Sequence, residues 1–282
     1  PITAPRDYDP ARYELLARYI QALVAKGTPL TLGSFMNISR MPNDKTDINN
    51  NGPVSTDFIG QSDSYPESDA TTRARIWEAH KNYIQGLFYF LATDTRVPEP
   101  VRAETRSYGL CKDEFTDTAG WPFQLYVREA RRMVSDYVMT ESNCLGAVVA
   151  PDSIGLAAYN MDSHNCQRVV VDGAVRNEGD VQISSAAPYP ISYRSIVPRS
   201  GECQNLLVPW CLSASHMGFG SIRMEPVFLI LGQSAGTAAC LALDEGRSVQ
   251  QVDVRALQAR LSADKQLLHW AAAAARPVPN RP

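Results

Sequence analysis

Ser215-His-Met-Gly-Phe-Gly-Ser-Ile-Arg-Met-Glu-Pro-Val-Phe-Leu-Ile-Leu-Gly-Gln-Ser-Ala-Gly-Thr-Ala-Ala-Cys240 is the stretch whose reading decides the fold. Inside it, Gly232-Gln-Ser-Ala-Gly236 meets Gly-x-Ser-x-Gly, the strand-to-helix elbow that exposes a nucleophilic serine in hydrolases. On that reading Val227 to Leu231 is a buried strand. The alternative is one helix from Pro226 or Val227 to about Leu243, closed by Gly246. Its Gly232, Ala235, Gly236, Ala238 and Ala239 then let backbone pass close to another group. The elbow needs an acid and a histidine after the serine, yet the sole later histidine is His269 and no His-Gly-Gly-Gly segment lies upstream. A serine hydrolase using Ser234 therefore ranks third among the functions considered.

Outward from this stretch, the hydrophobic spacing predicts helices over 8–26, 71–91, 99–108, 125–138 and 254–261. The 8–26 helix carries Tyr13, Leu16, Ile20 and Leu23 on one side and stops at Gly27. Residues 37–69, rich in Asn, Asp, Ser, Gly and Pro, read as a long ordered loop. Short β-rich runs are expected at 146–149, 168–171, 181–184, 192–196 and 205–209. Asp172-Gly173 is a hairpin signal. The fold class is α/β, with helical insertions and a β-rich region.

The chain of 282 residues is 44% hydrophobic and 20% charged, an ordinary soluble globular composition. A net charge of -3 without clustered Lys or Arg gives no field for nucleic acid, so no such partner is expected. No apolar stretch is read as approaching the roughly 20 residues that span a bilayer, so no membrane partner is expected either. Six cysteines without a Cys-x-x-Cys pair read as buried free thiols, and no metal is predicted. The N-terminus lacks an initiator Met and an apolar signal core, which reads as a removed leader or a piece of something longer. The compartment, cytoplasmic or exported to the periplasm, is left unknown.

Several segments carry groups suited to chemistry. Tyr159-Asn-Met-Asp-Ser-His164 gathers a phenol, an amide, a carboxylate and an imidazole, making Tyr159, Asp162 and His164 candidates for proton transfer and substrate hydrogen bonding. Arg194 and Arg223 suit bidentate binding of a carboxylate or of hydroxyls, unless they serve structural ion pairs, with Glu225 the expected partner of Arg223. Asp47-Ile-Asn-Asn-Asn-Gly52 matches half of a calcium loop, but Phe58 stands where the bidentate Glu is required. With Lys45, that cluster reads instead as part of a substrate-side loop. Glu129, Arg131 and Arg132 read as an exposed, salt-bridged helix face.

The strings Asn205-Leu-Leu-Val-Pro209, Ser213-Ala-Ser-His216, Gly220-Ser-Ile-Arg-Met-Glu-Pro226 and Gly232-Gln-Ser-Ala-Gly-Thr-Ala-Ala239 resemble the C-terminal signature of the bacterial FAD-dependent oxidoreductase family, some of whose members carry a xanthan-lyase label. The resemblance extends upstream through Lys45–Gly52, Leu125–Met133, Tyr159–His164 and Tyr189–Ser195, over roughly residues 1–265. It implies the C-terminal part of a two-dinucleotide-binding-domain-type flavoprotein. Residues 1–140 would form a mainly helical substrate-side or cap region, 141–204 a β-rich substrate region, 205–265 a returning strand and final FAD-domain helices, and 266–282 a poorly ordered tail.

The resemblance further implies FAD as cofactor, near Gly218, Gly220, Ser221, Arg223, Met224, Gly232, Gln233 and Gly236. His216 is the histidine expected to face the flavin, ahead of His164. The substrate would be a small polar, sugar-like molecule exchanging hydride with the flavin. No Gly-x-Gly-x-x-Gly turn for the pyrophosphate occurs in the chain. A missing N-terminal FAD-binding segment or chain is therefore expected as a partner, and the chain alone is expected to retain FAD weakly or not at all. The competing function is a non-catalytic carbohydrate-binding fragment.

Overall fold

The computed structural model describes residues 2–185 and 187–270. Seven α-helices occur among them: α1 (Glu14–Ala25), α2 (Ala70–Thr93), α3 (Glu99–Arg106), α4 (Glu141–Cys144), α5 (His216–Ile222), α6 (Glu225–Asp244) and α7 (Val254–Ala263). The strands are β1 (Met36–Met41), β2 (Lys45–Asn50), β3 (Ser153–Ala157), β4 (Met161–Ser163), β5 (Gln167–Val171), β6 (Ala174–Glu178), β7 (Val181–Ile183) and β8 (Tyr189–Ser192). They pair only as two-stranded antiparallel sheets, β1 with β2, β3 with β8, β4 with β7 and β5 with β6. The architecture is thus mixed helix with small antiparallel sheets. The chain divides into two compact units, 1–127 with 165–179, and 128–164 with 180–282.

The first unit is built on α2. Asp69 caps it, its carboxylate accepting from the Thr72 amide at 2.7 Å. Tyr83, Gly86, Leu87, Phe90 and Leu91 form its buried face, at helical spacing. Leu16, Ala17 and Ile20 of α1 join the same core together with Tyr13, Leu32, Phe35 and Val101. Tyr13 donates its hydroxyl to the Tyr83 carbonyl at 2.9 Å and lies stacked near Phe90. Burial pushes the Tyr83 phenol up to about 12, and Tyr83 in turn donates to the Ser55 carbonyl at 2.6 Å.

Residues 37–69 do not form a continuous loop. Met36 to Asn50 is a hairpin whose turn places Asn43 and Asp44 at φ of 63° and 55°, a left-handed conformation these two residue types tolerate. Ile38 faces Ile48 across the pair, a contact that offsets the low strand propensity of the surrounding asparagines. Asp47 and Asn49 therefore lie in a strand, and the half-match to a calcium loop has no loop behind it. Lys45 bonds Asp113 at 3.0 Å and also Glu114, tying the hairpin to the segment after α3. Asp172 and Gly173, at φ of 50° and 73°, close the β5–β6 hairpin as the sequence predicts.

The second unit is built on α6, which buries Val227, Phe228, Leu231, Ala235, Ala238 and Ala242. It packs on β3 at Gly155, where an added Cβ would come within 2.5 Å of the Ile230 side chain. Contrary to the sequence reading, α6 at 20 residues and mean hydropathy 1.6 is long and apolar enough, by length and composition, to cross a membrane; 39% of that window is buried inside the protein. Within the expected tail, Gln266 and Leu268 are docked. Gln266 donates to the Ile154 carbonyl at 2.5 Å, and the Leu268 carbonyl accepts from Ser153 at 2.6 Å. The remainder of the predicted tail, 271–282, lies outside the described residues.

Three further expectations fail. Residues 125–138 form no helix, because the Met133 amide bonds the Cys211 carbonyl at 2.8 Å, Ser135 bonds the Ser213 hydroxyl and Met139 bonds the Ser213 carbonyl. Distant partners take the place of i→i−4 bonds. The run 205–209, expected as a returning strand, has only single cross-links such as Val208 to the Ile196 carbonyl at 2.8 Å. Residues 146–149 follow α4 as a turn, with Gly146 at φ 75°. The six cysteines are free, but only Cys144 is buried.

Gly86 offers a direct test of the first core. Alanine is ordinarily better than glycine inside a helix by about 1 kcal/mol, but a Cβ here would collide with the Tyr13 hydroxyl. Gly86→Ala is expected to lower stability by roughly 1–3 kcal/mol in denaturant unfolding. A stabilised variant would contradict this packing.

Candidate functional site

Most of the sequence-predicted site residues gather around α5 and β4 of the second unit. Ser215 caps α5, its hydroxyl accepting from the Gly218 amide at 3.1 Å. A Cβ on Gly218 would come within 2.6 Å of the Met139 carbonyl, and one on Gly220 within 2.8 Å of the Asp162 carbonyl. The close approach expected of these two glycines is thus made to the protein's own backbone.

That approach aligns a buried polar cluster. Arg223 and Asp162, only 5% and 7% exposed, pair at 2.8 Å through Nη2 and Oδ2. Glu225, the partner expected from sequence, is therefore replaced by Asp162. Gln182 donates to the other Asp162 oxygen from β7. The Nε of Arg223 is buried without a partner. Next to this pair, Tyr189 donates to the Ser221 hydroxyl at 2.6 Å, and Ser221 donates to the Tyr159 carbonyl at 2.5 Å. Burial drives the Tyr189 phenol far above its ordinary range and raises the Cys144 thiol as well. These groups are neutral hydrogen-bonding partners inside a core, while Tyr159 itself is exposed.

At the first residue of α5 the surroundings change. His216 is 55% exposed in its side chain and its Nδ1 lies 2.6 Å from Glu129 Oε2. Arg132 reaches the same carboxylate oxygen at 3.3 Å, donates from Nε to the Ala214 carbonyl at 3.1 Å and sits over the Phe219 ring at 5.5 Å. No partner to His216 Nε2 occurs among the described residues. Glu129 and Arg132, read from sequence as an exposed helix face, instead form part of this site because 125–138 is not helical. No local signal reveals Glu129: it stands 87 positions from the histidine it meets.

The other candidates lie elsewhere. Arg194 grips Asp152 through Nε at 2.9 Å and Nη2 at 3.1 Å, with its guanidinium 4.4 Å from the Tyr137 ring centre. Burial alone would raise the Asp152 carboxyl, but hydrogen bonds from Arg194 and Ser192 hold it below the usual carboxylate range. His164 follows β4 and is half-buried. Met224 caps α6, while Gly232, Gln233 and Gly236 lie on its exposed face, and nothing lies within 4 Å of a Cβ built on either glycine. Ser234 is fully buried in mid-helix, donating at 2.6 Å to the Ile154 carbonyl and accepting from Gln266. It stands at no elbow and faces no histidine, so the hydrolase reading is overturned. Among the described residues, no group of three or more His, Cys, Asp or Glu side chains is placed to hold a metal.

A family model described as FAD dependent oxidoreductase matches residues 1–261. No curated protein and no solved structure matches the chain.

Two substitutions test the polar framework. Asp162→Ala leaves Arg223 buried and uncompensated, and is expected to cost roughly 3–5 kcal/mol in chemical unfolding; a loss below about 1 kcal/mol would mean that the pair is not closed in solution. Asp152 has a depressed folded value, so its pairing stabilises above the ordinary carboxyl value of about 3.9 and is lost as pH falls through the folded one. Asp152→Asn should therefore be destabilised at neutral pH, with the gap to the parent protein closing in acid. A gap that widened on acidification would refute that account.

Proposed function

Because the chain belongs to the family of FAD dependent oxidoreductases, whose cofactor is FAD, we propose that it works on a small polar substrate with His216 as its proton-transfer group. The observation that carries this reading is the His216–Glu129 contact at 2.6 Å, made by a histidine side chain that is 55% exposed. A base held on one nitrogen and open on the other suits removal of a hydroxyl or amine proton.

The residues present fit the ring end of FAD. Gly232 and Gly236 leave an open, small-residue face on α6, where a flat ring can approach backbone. Gln233 on the same face offers an amide for hydrogen bonding. The residues do not fit the phosphate end, since the sequence has no Gly-x-Gly-x-x-Gly turn. We infer that this cradle comes from a further segment or a second chain. When bound, FAD supplies the hydride acceptor or donor.

The protein's part is proton handling and orientation. His216 Nε2 takes the substrate's hydroxyl or amine proton in oxidation and returns it in reduction. Tyr159, itself exposed and with its carbonyl anchored by Ser221, offers a hydrogen bond to a hydroxyl-bearing substrate. Arg223 and Asp162 do not touch substrate in this scheme; their pairing holds the end of α5 against β4. Arg194 is held by Asp152 and takes no part in this scheme.

Two variants separate cofactor binding from proton transfer in the FAD-loaded protein. His216→Gln should slow substrate-dependent bleaching of the flavin absorbance by about 10²–10⁴-fold while leaving FAD retention unchanged. Gly236→Leu, on an open helix face, should leave the melting temperature unchanged or raised and weaken FAD retention about tenfold or more, measured by absorbance after dialysis. Full bleaching rates in His216→Gln would remove the histidine from the reaction, and undiminished retention in Gly236→Leu would move the flavin off this face.

A further inference from the structure

We propose that Glu129 is a positioning residue for His216, holding the imidazole with Nδ1 protonated so that Nε2 presents a lone pair to solvent and substrate. The inference rests on the reading of His216 as the proton-transfer group and adds how that histidine is prepared.

A carboxylate is an acceptor only, so a 2.6 Å approach of Glu129 Oε2 to Nδ1 requires the proton on Nδ1. In the neutral ring the second nitrogen is then an acceptor, which is the form a base needs. Glu129 does not wander to find this position. Its carboxylate is 18% exposed, and Arg132 holds the same oxygen that meets the histidine. Arg132 is itself fixed at the Ala214 carbonyl and over Phe219. Ala214 and Phe219 flank His216 in sequence, and Phe219 lies three residues along α5, on the same side of the helix. The clamp and the group it orients are therefore anchored to α5 and the residues that lead into it.

The contact is not explained by stability alone. A contact made by a largely exposed side chain adds little to stability. An oriented tautomer is what such a contact adds, as an acid does behind a histidine base in hydrolytic triads.

The test is a long-range ¹⁵N–¹H correlation spectrum of the intact protein labelled with ¹⁵N-histidine, recorded at alkaline pH. Four histidines are present, and the His216 signals are identified by their loss in His216→Gln. The expected result is an Nδ1–H tautomer favoured by about tenfold or more in the parent protein, as a charge-assisted hydrogen bond dictates. Glu129→Ala should move His216 to the Nε2–H form that free imidazole side chains prefer. Arg132→Met should shift the ratio in the same direction by less. A parent protein with His216 in the Nε2–H form overturns the proposal, and that spectrum decides even if Glu129→Ala does not fold. So does a folded Glu129→Ala variant whose tautomer ratio matches the parent. If the tautomer behaves as stated while His216→Gln still reduces flavin at the parent rate, the positioning stands and the catalytic reading of His216 fails.

Discussion

The absence of two methyl groups governs the second unit. Gly218 and Gly220 sit where a Cβ would press on the carbonyls of Met139 and Asp162, so α5 can lie directly against backbone. Every group of interest on that helix inherits its place from this approach. Ser221 reaches the Tyr189 hydroxyl and the Tyr159 carbonyl, Arg223 reaches Asp162, and His216 is left at the open end beside Glu129. Larger residues at either glycine would lift the helix and separate these pairs together, because interiors pack too tightly to absorb the shift.

Burial then divides the polar residues into two kinds. Asp162, Arg223, Ser221 and Tyr189 are enclosed and hydrogen-bonded mainly to one another, which satisfies groups that are costly to bury alone, Arg223 Nε excepted. Ser234 belongs to the same class: its hydroxyl meets the carbonyls of Ile154 and Ile230 and the Gln266 amide. His216, Tyr159 and the Gly232–Gly236 face are open and partly unsatisfied. Chemistry at a ligand needs the second kind, held in place by the first.

What was legible followed from local pattern. The helix after Pro226, the Asp172-Gly173 hairpin and α2 each announce themselves through periodicity or turn chemistry within a few residues. The hairpin at 36–50 was hidden because its strands are rich in asparagine and its only inward apolar pair is Ile38 with Ile48. The segment 125–138 misled for the opposite reason. Its residues favour a helix, but its backbone groups find partners near Cys211 and Ser213, far along the chain.

The site shows the same division. Family strings over most of the chain identify an FAD dependent oxidoreductase, and the residue types at 159–164 and 216–223 supply the candidate groups. Tertiary structure alone decided which of them are spent on each other: Asp162 instead of Glu225 for Arg223, Asp152 for Arg194, and Glu129 for His216. Composition and periodicity report on neighbours within a turn or two of chain. Pairing of charges tens of residues apart depends on where the backbone runs, and here that is settled by glycines packed against distant carbonyls.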